Sequence, residues 1–314
     1  MCIMINTVSI IGIGAVGAIY AWRLSEHLGY DRVRVIVNQE RFERYTQEGI
    51  FLNGNRIDFN LVTPQTEIVP ADLLIVATKN HHLAQAIVDI QTHVGPKTTI
   101  LSLLNGIDSE RILGNAFDAS QILYGFTTAL DSTRNNTHID FSTEGIIYFG
   151  EKNNEKTPRI LALMTLFSQA HISFQVPDNI ERELWAKFMV NVSINTISAI
   201  TRGSYGDCAQ ITPIKELIIQ AQREVIALSQ AFGIEGLDES YIEKYQKIFA
   251  SLEYEGKTSM LQDIEAGRPT ENDWFCIRAS ELGREINVPT PLIDVLGMLA
   301  AGSEAIQIRH IAAH

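Results

Sequence analysis

Short apolar runs alternate with stretches of helical periodicity through the first half of the chain. TVSIIGIG (7–14) reads as a strand and turn, residues 15–29 as a helix, VRVIV (33–37) as a second strand, and RFERYTQEG as a short helix ended by Gly49. ADLLIVAT (71–78) has the unbroken apolar character of a strand buried on both faces. Residues 81–94 follow as a helix, and TTILSLLNG (98–106) as a strand running into a turn. Residues 121–150 read as a strand and hairpin, and PRILALMTLFSQAH with ISFQV adds one more helix and strand. Strand and helix in alternation at this spacing predict a parallel sheet with right-handed crossovers.

After Val176 the pattern changes. Helical periodicity takes over at 179–200, 211–232, 238–252, 257–266, 271–285 and 290–302. The expected fold is α/β: a Rossmann-type parallel-sheet domain over 1–176, then an all-helical domain over 177–314, with QVPDN as the hinge. In such a chain the active site is expected where the two halves enclose a ligand.

Composition narrows the function classes. A length of 314 residues suits two domains, and 46% hydrophobic with 20% charged residues is a globular balance. No apolar run is read as reaching the roughly 18 to 20 residues of a membrane span. The N-terminus MCIMINTVSIIGIGAVG reads as folded domain without a signal peptide, so a soluble cytoplasmic protein is expected. A net charge of −12 argues against nucleic acid and anionic membranes as partners. Cys2, Cys208 and Cys276 lack metal or redox spacing and read as free thiols; no metal is expected, and the pair His81 and His82 reads as a solvated helix start.

The first candidate chemistry is G-I-G-A-V-G at residues 12–17. Gly12 would make a tight turn, Gly14 would let a pyrophosphate approach the backbone, and Gly17 would allow close helix packing. The amides around Ala15 and Val16 at the helix start would face the phosphates. At the end of the second strand an NAD site generally places a carboxylate. Here Asn38 occupies that position, followed by Gln39, Glu40 and Arg41, and Arg41 would reach a 2′-phosphate; the pattern tilts towards NADP(H), with Glu40 leaving NAD open. Lys79 and Asn105 both follow strands, where parallel sheets bind ligands. Lys79 would bring a cation to a phosphate or carboxylate, and Asn105 an amide to the nicotinamide ribose or the substrate.

The second is LWAKFMVNVSINTISAI, residues 184–200. On one continuous α-helix Lys187, Asn191 and Asn195 would form a stripe drifting about 40° per step, with Ser198 nearby and Leu184, Phe188, Val192 and Ile194 packed opposite. A lone cation among uncharged hydrogen-bonding groups suits a half-buried ligand surface better than a solvated one. Hydride addition to a ketone creates an alkoxide, and an ammonium supplies both the proton and the positive charge it needs. The third is TSMLQDIEAGRPTEND, where Ser259, Asp263 and Glu271 stand beside an R-P-T turn. Thr270 or Asn272 is read as the cap of a helix starting near Glu271, and Glu271 as an acceptor for a substrate hydroxyl.

Together G-I-G-A-V-G, Lys79, L-N-G at 104–106, K-x-x-x-N-x-x-x-N at 187–195, and S-M-L-Q-D-I at 259–264 followed by R-P-T-E resemble ketopantoate reductase (2-dehydropantoate 2-reductase), in that family's order over nearly the whole chain. The resemblance implies NADPH-dependent reduction of 2-dehydropantoate to pantoate, on the way to coenzyme A. Lys187 would match the catalytic acid, Glu271 and Ser259 the substrate contacts, and Lys79, Asn105, Asn191 and Asn195 the remaining ligand-binding residues. It implies a small 2-oxo acid as partner and is compatible with a homodimer. The chain departs from the family at Gly256, where an asparagine is usual, and at Asn38, where an arginine is expected. A β-hydroxyacid dehydrogenase of another substrate, or a dinucleotide sensor without turnover, are the rival readings.

Overall fold

The computed structural model describes Met4 to Ala312; Cys2 lies outside the described residues. By internal contacts the chain divides into one unit of residues 1–104 and 108–180, and a second of residues 105–107 and 181–314.

In the first unit β1 (Val8–Ile11), β2 (Val33–Ile36), β5 (Asn60–Val62), β6 (Leu73–Val76) and β7 (Thr99–Ser102) form a parallel array ordered β7-β6-β1-β2-β5. VSII and LLIV are buried along their whole length, as strands covered on both faces must be. Helices α1 (Ala15–Leu28), α2 (Gln39–Glu48), α3 (Leu83–Asp89) and α4 (Ser109–Ala116) supply crossovers. The helix expected over 81–94 is shorter: 3-10 turns at Asn80–His82 and Gln91–His93 flank α3. His81 and His82 are exposed.

The hairpin of β8 (Ile122–Asn135) and β9 (His138–Gly150) extends the sheet. β8 joins β7 only through Ile122 and Leu123; beyond a register shift at Asp131/Ser132 its side chains alternate between half-buried and exposed. The far end of β9 pairs with β3 (Ile50–Leu52), Phe51 against His138 and Leu52 against Ile139, and β3 pairs with β4 (Asn55–Ile57). Segments this short, interrupted by Asn-Gly, carry no readable periodicity, and β3 to β5 have no counterpart in the sequence reading. α5 (Pro158–Gln169) and β10 (Phe174–Gln175) complete the unit.

The second unit is helical. It runs α6 (Ile180–Val190, whose first residue belongs to the first unit), a π turn (Asn191–Asn195), α7 (Thr196–Thr201), α8 (Tyr205–Gln210), α9 (Thr212–Ala231), α10 (Glu239–Ser251), α11 (Ser259–Glu265), α12 (Cys276–Ile286) and α13 (Pro291–Ala312). Phe188, Val192, Val225, Ile264, Phe275, Cys276 and Ile293 meet in its core.

Three expectations are corrected here. The helix read over 179–200 is broken by the π turn. The helix expected from 271 is a 3-10 turn at Asn272–Trp274 followed by α12, and neither Thr270 nor Asn272 caps a helix at Glu271. Thr270 is drawn to Glu304, which accepts from both its amide (3.0 Å) and its hydroxyl, while Asn272 donates to the Gly297 carbonyl at 3.0 Å. The helix read as 290–302 continues to Ala312, and Pro291–His310, of mean hydropathy 1.3, does meet the length and composition of a membrane span. Its Ile293, Leu296 and Ala300 are in the core of the second unit and its Glu304 is bonded to Thr270, while Val295, Met298, Leu299, Ile306 and Ile308 are exposed.

Candidate active site

The glycine turn divides its labour as a dinucleotide turn requires. Gly12 has φ +96°, and a Cβ there would lie 2.6 Å from the Ala77 carbonyl; a Cβ on Gly17 would lie 1.8 Å from the Gly12 oxygen. Both positions are closed by backbone, so only glycine fits. Gly14 is the opposite case: nothing stands within 4 Å of where its Cβ would be. That open face lies at the N-cap of α1, where no side chain caps the helix and no acid stands in the first turn, leaving the amides of the Ala15-Val16-Gly17 turn to an anion. A pyrophosphate fits this cradle.

At the end of β2 the Asn38 side chain accepts from the Arg41 amide at 2.9 Å and caps α2. It offers no carboxylate to a ribose. Arg41 is exposed, as is Lys79 beyond β6. His82 is held below its ordinary value by burial and then by the charges of Arg41, His81 and Lys79, so the ends of β2 and β6 share one positive field.

The second unit assembles the remaining candidates. Burial pushes the Lys187 ammonium down to about 8, opposed by the Glu271 carboxylate, which favours the charged form. Glu271 is itself buried and accepts from Asn105 Nδ2 at 2.9 Å. One and two turns after Lys187 stand Asn191 and Asn195; Asn195 Nδ2 donates to Asn191 Oδ1 at 3.1 Å and lies 3.5 Å from the hydroxyl of Ser259, an exposed residue opening α11. Asn191 is buried, and its Nδ2 has no hydrogen-bond partner among the described residues. A buried amide with spare donor capacity is a group that a ligand oxygen satisfies.

The π turn underlies this arrangement. Wider than an α turn, it spans Asn191 to Asn195, and the Thr196 hydroxyl reaches back five residues to the Asn191 carbonyl at 3.4 Å, while Ser193 Oγ bonds the Met189 carbonyl at 2.7 Å. The polar residues that make this segment a poor α-helix are those that satisfy its displaced carbonyls. Ser198 is fully buried and donates to the Gly203 carbonyl at 2.6 Å, and Asp263 is paired with Arg268 at 2.8 Å, so both serve the fold. Sequence reasoning missed Thr196 and, in the first unit, Tyr45 and Arg134; a hydroxyl five residues after an asparagine was the available signal for the first.

Residues 8–154 match the family model for ketopantoate reductase PanE/ApbA, and residues 179–304 match the model for that family's C-terminal part. The chain belongs to the ketopantoate reductase family. It is an oxidoreductase by that membership. This ketopantoate reductase family member is 27% identical to a Bacillus subtilis (strain 168) protein, uncharacterized oxidoreductase YkpB, over 91% of the present chain and 95% of that protein. Among solved structures, 2-dehydropantoate 2-reductase from Geobacter metallireducens GS-15 superposes with a TM-score of 0.85 at 25% identity, covering 95% of this chain and 99% of that one. A D-mandelate dehydrogenase solved with NADH and anilino(oxo)acetate superposes equally well, TM-score 0.85, at 22% identity over 96% and 99% of the two chains. The fold is therefore common to enzymes of different 2-hydroxy acids.

Proposed function

We propose that this protein is a cytoplasmic NADPH-dependent 2-oxo acid reductase whose substrate is 2-dehydropantoate. The observation that carries the reading is Lys187, an ammonium brought to about 8 by burial, supported by Glu271 and followed by the linked amides of Asn191 and Asn195. Bound at the glycine turn, the dinucleotide supplies the hydride. The Lys187 ammonium donates its proton to the ketone oxygen as charge develops there, and the amine left behind is reprotonated from solvent. The product is the 2-hydroxy acid. Glu271 keeps Lys187 charged and accepts from a substrate hydroxyl, and Asn191, Asn195 and Ser259 orient the substrate with neutral donors that do not compete for the proton. Asn38, bonded to the Arg41 amide, offers no carboxylate to a ribose at the first position after β2, and Arg41 brings a cation nearby, which favours NADPH.

The test is NADPH absorbance with purified protein against 2-dehydropantoate, branched aliphatic 2-oxo acids and an aryl 2-oxo acid. Preferred turnover of 2-dehydropantoate is expected. Preference for the aryl acid would replace the substrate, and tight NADPH binding with no oxidation by any of them would replace the enzyme with a sensor.

A further inference from the structure

We infer that Arg134, at the far end of β8, is a specificity residue for a phosphorylated ribose, acting with Arg44 and Arg41 around the Tyr45 hydroxyl. The inference rests on the reading of the glycine turn as a dinucleotide site and deepens it. Arg134 stands far along the chain from that turn, yet its Nη1 donates to the carbonyl of Ile13, inside G-I-G. Sheet register explains how. Arg134 pairs with Ile139, Ile139 pairs with Leu52 of β3, and β3 follows directly on α2, whose Tyr45 is buried beneath the hairpin end.

Every acceptor of the Arg134 guanidinium is neutral. Besides Ile13, Nη2 donates to the Tyr45 hydroxyl at 2.8 Å and Nε to the Asn136 carbonyl at 2.8 Å. Arg44 Nη2 donates to the same hydroxyl at 3.2 Å, and its buried Nε has no hydrogen-bond partner among the described residues. Arg41 acts electrostatically on Tyr45 as well. Burial would raise the Tyr45 hydroxyl, but Arg134, Arg44 and Arg41 outweigh it and hold it below its ordinary value. The carboxylates facing Arg44 are Glu40 and Glu48, both exposed.

Two guanidiniums thus bond one phenol oxygen beside the glycine turn, and Arg41 adds its charge, in a chain whose net charge is −12. A ribose bearing only hydroxyls asks for a carboxylate at this position, and Asn38, turned back onto its own helix, provides none. A ribose phosphate asks for forked cations whose charge is not already neutralised, which is what the Tyr45 cluster provides.

The experiment is calorimetric titration of the full chain with 2′,5′-ADP and with 5′-AMP, which differ only in the 2′-phosphate and require no turnover. The unmodified protein is expected to prefer 2′,5′-ADP. Arg134→Gln should cut that preference by about tenfold to a hundredfold, the scale of a lost charge-assisted hydrogen bond, with 5′-AMP affinity changed less than about twofold. Arg134→Lys, which keeps the charge and loses the fork, should fall between. Equal losses for both ligands would make Arg134 a strap holding the turn, and no loss would remove it altogether; either overturns the inference. If Arg134→Gln does not fold, Arg44→Gln and the salt dependence of the unmodified protein decide, since a preference insensitive to both contradicts it. A protein that shows the preference but reduces no 2-oxo acid refutes the role of Lys187 and leaves that of Arg134 standing.

Discussion

Asn105 Nδ2 donates to Glu271 Oε2 at 2.9 Å, joining residues 166 positions apart in the chain. The carboxylate so fixed is the one that supports the charge on Lys187. A residue whose position after a strand suggested direct ligand contact thereby also orients the partner of the proposed acid.

The pH dependence of turnover follows from the sign of that pairing. Burial lowers Lys187 to about 8, and the ammonium is the proposed donor. Reduction should therefore be level at lower pH and fall by about tenfold per unit above about 8, whereas oxidation of the hydroxy acid, which needs the neutral amine, should rise through the same region. Stopped-flow rates in both directions check this; a descending limb that persists in Lys187→Arg assigns the titration elsewhere.

Removing the lysine tests its role in chemistry directly. Lys187→Ala should lower kcat by about two to four decades, with dinucleotide affinity retained. Activity near that of the unmodified protein would reject Lys187 as the acid.

Glu271→Gln should move the descending limb to lower pH, because the carboxylate is the influence raising Lys187 against burial. If the limb stays in place while KM alone rises, Glu271 acts on the substrate and not on the lysine.

The glycine turn offers a contrast between two alanines. Gly17→Ala drives a Cβ into the Gly12 carbonyl and should impair folding, seen as a lowered Tm or loss of soluble protein. Gly14→Ala meets no atom of the protein, so Tm should hold while dinucleotide Kd rises at least about tenfold, as expected where only a ligand would occupy the space. Unchanged affinity in Gly14→Ala would place the pyrophosphate elsewhere.

Thr196→Val removes the hydroxyl that reaches the Asn191 carbonyl and accepts from Cys276 Sγ at 3.4 Å. A cost of about 1 kcal/mol in denaturant unfolding is expected, with a rise in KM if the π turn sets the asparagine pair. A loss of stability without any kinetic change would make the turn structural only.

The alternation of the main parallel strands and helices, though not β3 to β5, was legible in the sequence because burial imposes its period locally: VSII and LLIV announce covered strands, and Gly12 and Gly17 occupy positions that no side chain can enter. The residue types of the proposed chemistry, a lone lysine and two asparagines in an apolar helix, were likewise visible. What the sequence by itself left open was which groups meet. The π turn depends on hydroxyls reaching back to carbonyls, and the Asn105–Glu271 bond and the approach of Arg134 to Ile13 depend on contacts between distant segments. Periodicity records which side of an element faces the core. Only tertiary packing, through sheet register and helix contacts, decides which polar side chains are brought close enough to share a proton, a charge or an anion.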